Sequence, residues 1–342
     1  MKKIISLGLS IIVSISFIGC GRFDKIEESN NTKIEENTDV NKKRLEEEQK
    51  RVEEEQKRLE EEQKRAEEEQ KKQEEEQKRL EEEKKKQEEK EKEEKKKQEQ
   101  EEKLNSDKNI NSLNNEKKSW YYIPNKEHKV PRAAETKEFL SKYNSYYIGD
   151  TEEKVIYLTF DEGVSESYAE QNLRTLRKHG IKSTFFVTRD FLKNRPDLVK
   201  AILNDGHTIG NHTANHPSMP TLADNKDKFQ KEIIYIEDLY KKTTGQNITK
   251  FFRYPMGHYS EKSLGIIKSM GYKSFFWSFA HADYDIDNQP SVEVTKKKMV
   301  DSAHNGAIYL LHGLSKSDAD ALDYFITTLK KQGYSFKNVS EI

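Results

Sequence analysis

The sequence predicts an α/β domain over residues 119–342, built on a parallel sheet either open or closed into a barrel, with a long charged helix ahead of it. Three observations lead there. Almost all Trp, Tyr and Phe lie beyond residue 119. In that same region β-branched and aromatic runs alternate with helix-like stretches, as in strand–helix–strand units. Before it, residues 42–104 are an almost unbroken run of Glu, Gln, Lys and Arg, which cannot form a core. The 342 residues would allow two domains by length, but 36% are charged and only 32% hydrophobic. That composition leaves one folding unit of about 220 residues, enough for a sizeable core.

The elements follow from local pattern. VIYLTF (155–160), STFFV (183–187), HTIG (207–210), FFRYP (251–255), YKSFFW (272–277) and AIYLL (307–311) read as strands. Helices are expected near 166–178, 190–204, 224–243, 260–269, 292–303 and 318–331, with Gly180, Gly206 and Gly245 as stop signals. In parallel α/β folds the chemistry sits at the C-terminal ends of strands.

The N-terminal region has a different character. Residues 1–20 pair Lys2 and Lys3 with an apolar run from Ile4 to Ile18 that is short for a membrane span, and end in Gly19-Cys20. This resembles a bacterial lipoprotein signal in which Cys20, the only cysteine, is lipidated. The expectation is an extracytoplasmic protein anchored to the membrane through Cys20 and facing the cell wall. Residues 21–41 read as a disordered linker. From 42 to 104, Leu45, Val52, Leu59, Ala66, Gln73, Leu80 and Gln87 recur every seven residues within EEEQKR-like units. A coiled coil needs two apolar positions per heptad and this repeat offers one. Glu stands four residues before Lys or Arg throughout, the favourable order on a helix. A solvated single helix is therefore expected, about 90 Å long at 1.5 Å per residue, with weak self-association as the alternative. Residues 105–118 read as a flexible joint. The 61 basic and 62 acidic residues leave a net charge of −1, which gives no basic surplus for nucleic acid.

Polar residues gather at the expected strand ends: Asp161 and Glu162, His212 and His216, Arg253, Asp283 and His312. Singly, each has an ordinary reading as a helix cap, a turn residue or a satisfied surface group. Together at five strand ends of one α/β domain they form a constellation of acids, imidazoles and one guanidinium, which turns the odds toward a functional site.

In order, TFDEG (159–163), HTANH (212–216), RYPMG (253–257), the segment from Trp277 to Asp283, and LLH (310–312) resemble the five motifs of NodB-type polysaccharide deacetylases, carbohydrate esterase family 4. WYYIPNKEH (120–128), GHTIGNHTANHP (206–217) and GAIYLLHGLS (306–315) are most similar to the spore-type deacetylases of peptidoglycan N-acetylmuramic acid. The resemblance implies a distorted (β/α)7 barrel. It implies Asp161 as base, His312 as acid, Arg253 holding Asp161, and Asp283 steadying Arg253. His212 and His216 would bind a divalent metal, often zinc, and the Met256 amide beside Tyr254 would help form the oxyanion site. Glu162 stands where the family usually has a metal-binding Asp. It either ligates with shifted geometry, leaves a two-His site completed by water, or weakens metal binding. The implied activity is de-N-acetylation of peptidoglycan at N-acetylmuramic acid. The alternatives are N-acetylglucosamine as the target, or a catalytically weak wall-binding lipoprotein.

Overall fold

The structure, a computed structural model, describes residues 33–125, 127–163 and 168–342, with the side chains of 41–97 and of 108 onward. The expected signal segment, Cys20 and residues 21–32 lie outside the described residues. The chain divides into two compact units, one ending at Glu94 and one spanning Lys95–Ile342.

One helix, α1 (Lys33–Ser112), takes up the charged repeat. It begins inside the linker expected at 21–41 and runs past the expected end at 104, because neither flank holds a Gly or Pro to stop it. Residues 41–97 are exposed throughout, including the heptad residues Leu45, Val52, Leu59 and Leu80. Glu-to-Lys pairs at i,i+4 appear at Glu68–Lys72, Glu81–Lys85 and Glu82–Lys86, at 3.3, 3.1 and 2.9 Å. Such exposed pairs each contribute little, so the helix rests on their repetition and on its good helix formers. No helix among the described residues is long and apolar enough to cross a membrane.

Within the second unit, the joint expected at 105–118 is not free. Leu113 packs where Gly265 has no side chain. The Lys262 amide donates to the Asn114 carbonyl at 3.0 Å. Asn115 donates to Asp224 at 2.9 Å and accepts from Ser260 at 2.7 Å. Ile110 and Leu113 are lone apolar residues in a polar stretch, and only their tertiary partners give them a role.

Eight strands form the main sheet: β1 (Ser145–Tyr146), β2 (Val155–Glu162), β3 (Thr184–Val187), β4 (Thr208–Asn211), β5 (Phe251–Phe252), β6 (Lys273–Phe275), β7 (Ala307–His312) and β8 (Ser335–Lys337). The order is β7-β2-β3-β4-β5-β6-β1, with β8 on the start of β2, and every pair is parallel. Single bridges, Ile148 to Ala307 and Phe279 to Tyr309, join the two ends of this path and close the expected distorted barrel. All six expected strands are present. The two unforeseen ones, β1 and β8, are too short for periodicity to show. FFRYP keeps only Phe251–Phe252, since Pro255 opens a short 3-10 turn to Gly257. The helix expected at 190–204 is two, Arg189–Asn194 and Pro196–Asn204, because Pro196 ends one and starts the next.

β2 is buried at every position, which is why its first six residues, VIYLTF, are almost wholly apolar. Its pleat sorts the side chains. Ile156, Leu158 and Phe160 pack with Leu173, Leu322 and Phe325 of the outer helices. Val155 and Tyr157 join Phe186, Phe275 and Ile308 in a separate inner cluster. Alternation therefore carries Asp161 to the inner face and Glu162 toward the helices.

Candidate active site

Asp161 and His312 are register partners on the neighbouring strands β2 and β7, so both side chains leave the sheet on the same face. His212 follows β4, and Arg253 follows β5 with its amide on the Asn211 carbonyl at 3.1 Å. Four strand ends thus deliver four functional groups to one place.

Arg253 is fully buried. Its Nη1 donates to Asp161 Oδ1 at 3.2 Å, its Nε donates to the Phe275 carbonyl at 3.0 Å, and its guanidinium lies 4.4 Å from the centre of the Phe186 ring. Burial lowers its pKa, and the Asp161 carboxylate opposes that shift. His212 Nδ1 sits 3.0 Å from the Arg253 carbonyl. A carbonyl only accepts, so Nδ1 carries the proton and Nε2 presents a lone pair. That lone pair lies 3.4 Å from Asp161 Oδ2. His216 stands beside it, ring centres 4.8 Å apart. Burial holds both imidazoles below their ordinary value, His216 down to about 4. Two neutral imidazoles, one with its lone pair turned toward a carboxylate oxygen, suit a divalent cation between them.

The loops that set these side chains are strained. Thr213, His216 and Met256 have φ of 69°, 54° and 55°, a region that non-glycine residues rarely adopt. Neighbours over-determine them: the His216 amide donates to Thr213 Oγ1 at 3.0 Å, and the Thr213 amide donates to Asn211 Oδ1 at 2.9 Å.

Two expected roles change. Glu162 does not join the histidines. It is buried on the outer face, and its carboxylate fills the space that a Cβ on Gly313 would need. The pleat that brings Asp161 inward turns its neighbour outward. Asp283 does not steady Arg253; both its oxygens serve His312, accepting from Nδ1 at 2.8 Å and from the backbone amide at 3.0 Å. Burial disfavours charge on both groups. Even so, the charge and hydrogen bond of each partner hold Asp283 well below the usual carboxylate range and raise His312 above its ordinary value. His312 thus stands at the edge of the cavity with its protonated form favoured.

That cavity holds about 710 Å³ and is lined by Asp161, His212, His216, Met256, His312 and apolar walls including Trp277, Leu310 and Leu314. Tyr254 contributes its ring, stacked on Phe276 with centres 5.5 Å apart. Tyr284 stands exposed at the rim, edge-on to His312 at 5.9 Å. Two residues escaped the sequence reading, His281 and Asp318. Their Nε2 and Oδ1 atoms are 2.6 Å apart behind Asp283. His281, Asp283 and Asp318 bring potential metal donors within 4.8 Å of one another. Because Asp283 already accepts twice from His312, and His281 and Asp318 bond to each other, the cluster reads as a proton-sharing network.

The site sets the Asp161 carboxylate and the His312 imidazole on one cavity with room for an acyl group, an arrangement suited to a hydrolase. Comparison with known proteins agrees. A family model described as polysaccharide deacetylase matches residues 148–275. The chain is 40% identical over 229 residues to the peptidoglycan-N-acetylmuramic acid deacetylase PdaA of Bacillus subtilis, covering 67% of this chain and 86% of that protein. It is 35% identical over 193 residues to a peptidoglycan-N-acetylglucosamine deacetylase of Bacillus cereus, covering 56% and 88%. The solved structure of the Bacillus subtilis PdaA, a family 4 carbohydrate esterase, aligns with TM-score 0.64 over 67% of this chain and 97% of that one. The chain belongs to the polysaccharide deacetylase family, carbohydrate esterase family 4, and is a hydrolase acting on carbon–nitrogen bonds.

Proposed function

We propose that this protein removes the acetyl group from N-acetylmuramic acid residues of peptidoglycan. One observation carries the reading: Asp161 and His312, register partners, face one cavity with Arg253 holding the first and Asp283 the second. The 40% identity to a muramic acid deacetylase supports the sugar.

In this reading the oxygen of water bonds to the acetyl carbon as Asp161 takes one of its protons. The carbon–nitrogen bond breaks as His312 gives its proton to the departing nitrogen, leaving acetate and a free amine. Arg253 fixes Asp161 Oδ1 so that the other oxygen faces the cavity. The Met256 amide helps stabilise the developing oxyanion. A divalent cation held by His212 and His216, zinc on this donor set, polarises the acetyl carbonyl when bound.

The test is acetate release from N-acetylated peptidoglycan by the full chain, with zinc and with chelator, followed by mass analysis of the muropeptides. Zinc-dependent loss of acetyl from muramic acid supports the proposal. Loss from glucosamine keeps the chemistry and changes the sugar. No acetate from folded protein under any metal overturns it in favour of wall binding alone.

Two further outcomes are expected. His212→Ala lowers zinc affinity, read by competition with a chromogenic chelator, by more than the roughly 10- to 100-fold typical of losing an outer-shell partner. Glu162→Gln lowers it by less, since that carboxylate lies against Gly313 and does not line the cavity. Asp283→Asn removes the charge that raises His312. The acid must be protonated, so activity falls as pH rises through its pKa. The alkaline limb of kcat/KM therefore moves to lower pH, by on the order of one unit.

The N-terminal segment completes the proposal. Lipidation of Cys20 would anchor the protein outside the cytoplasm, with the charged helix as a spacer toward the wall. Incorporation of labelled palmitate into the wild-type chain and its absence from Cys20→Ser is the expected result. Sedimentation of the soluble chain distinguishes a single helix from weak self-association.

A further inference from the structure

Behind the acid lies a second buried pair to which the mechanism above gives no role. Asp283 and Asp318 are both almost fully buried, 0% and 1% exposed, and carboxylate oxygens of the two lie within 4.8 Å of each other, beside His281. Two carboxyl groups buried this close to each other are not both ionised. Asp283 accepts from the His312 ring and from the His312 amide, so it is the ionised member. The proton therefore belongs to Asp318. The rest of the contacts agree. Asp318 Oδ1 faces His281 Nε2 at 2.6 Å, and Oδ2 meets no donor among the described residues, as befits an oxygen that itself carries hydrogen. His281 then donates from Nε2 and is neutral. Burial and the Asp283 charge push the Asp318 carboxyl well above the usual range, and burial lowers His281.

The ordinary explanation of Asp318 is helix capping. It is the third residue after the N-cap Ser315, whose hydroxyl accepts from the Asp318 amide at 3.1 Å. In a full capping box the acidic side chain would reach back to the Ser315 amide. Here that amide goes to the His312 carbonyl at 2.9 Å, and the carboxyl turns inward to His281 and Asp283 instead.

We propose that Asp318 is a positioning residue for the deacetylation: as a neutral acid, held by His281, it donates to Asp283 and so locks the carboxylate that orients His312. The inference rests on the assignment of His312 as the acid. It differs from that assignment in what it demands of Asp318, a hydrogen-bond donor and acceptor rather than a negative charge. An amide offers both, with its NH2 toward Asp283 and its carbonyl toward His281.

The experiment compares Asp318→Asn with Asp318→Leu in the full chain, with two readouts. The first is kcat and KM for acetate release. The second is the low-field imidazole N–H resonance of the His312–Asp283 hydrogen bond, assigned by its disappearance in His312→Ala, which needs no activity. Asp318→Asn is expected to keep kcat within about threefold and to keep the resonance. Asp318→Leu is expected to lower kcat roughly 10- to 100-fold with KM little changed, the cost of letting a catalytic group drift, and to lose or broaden the resonance. If Asp318→Asn is as impaired as Asp318→Leu in both readouts, a charge is required and the proposal fails. If Asp318→Leu keeps wild-type kcat and resonance, Asp318 is only a capping residue and the proposal also fails. Should Asp318→Leu not fold, His281→Phe, which removes the donor to Asp318, is expected to weaken the same resonance; an unchanged one overturns the inference. Wild-type protein that shows the resonance but releases no acetate refutes the functional reading and leaves the hydrogen-bond chain standing.

Discussion

Asp161→Asn is expected to cut acetate release by roughly 10²- to 10⁴-fold, the span that a positioned general base contributes. The isostere keeps the shape of the side chain and can still accept from Arg253 Nη1, which lies 3.2 Å from Oδ1. It cannot take a proton from water. Binding of zinc and of glycan should persist, because His212 and His216 are untouched and the walls of the cavity are apolar. The measurement is kcat/KM on purified glycan strands, with the melting temperature as a check on folding. A variant with near wild-type turnover would remove Asp161 from the chemistry and leave it as the partner of a buried arginine.

Arg253→Met should be the most damaging change to stability in the site, lowering unfolding free energy by about 3–5 kcal/mol, as when one partner of a buried ion pair is removed. Arg253 is 0% exposed, and its loss leaves the Asp161 carboxylate, 7% exposed, without its cation. The Phe275 carbonyl also loses its donor at 3.0 Å. Met fills some of the volume against Phe186 but makes neither bond. The double variant Arg253→Met with Asp161→Asn discriminates the cause. If the uncompensated charge dominates, the double variant is more stable than Arg253→Met alone in urea titration. If lost packing dominates, it is not.

Much of the site was legible in the chain. Asp161, His212, His216, Arg253 and His312 each follow an apolar run that became a strand, and parallel strands bring their ends together. Roles that depend on direction were less legible. Asp161 and Glu162 are adjacent letters of equal chemistry, yet a two-residue pleat turns one to the cavity and the other to Gly313. Asp283 lies beyond a strand in an irregular stretch, where nothing local says whether its partner is Arg253 or His312. His281 and Asp318 carry no pattern at all: one sits in a loop, the other in the first turn of a helix, 37 residues apart.

What the sequence determined by itself was the order of elements, the parallel α/β class, the solvated charged helix and the set of polar groups gathered at the strand ends, because periodicity and composition are properties of neighbours along the chain. What only the tertiary structure decided was the pairing of Asp283 with His312, the outward turn of Glu162, the burial of Asp318 against His281, and the anchoring of residues 113–115 on the domain. Those depend on which side of a strand faces inward and on contacts between segments far apart in sequence, where direction and burial, not residue type, set the chemistry.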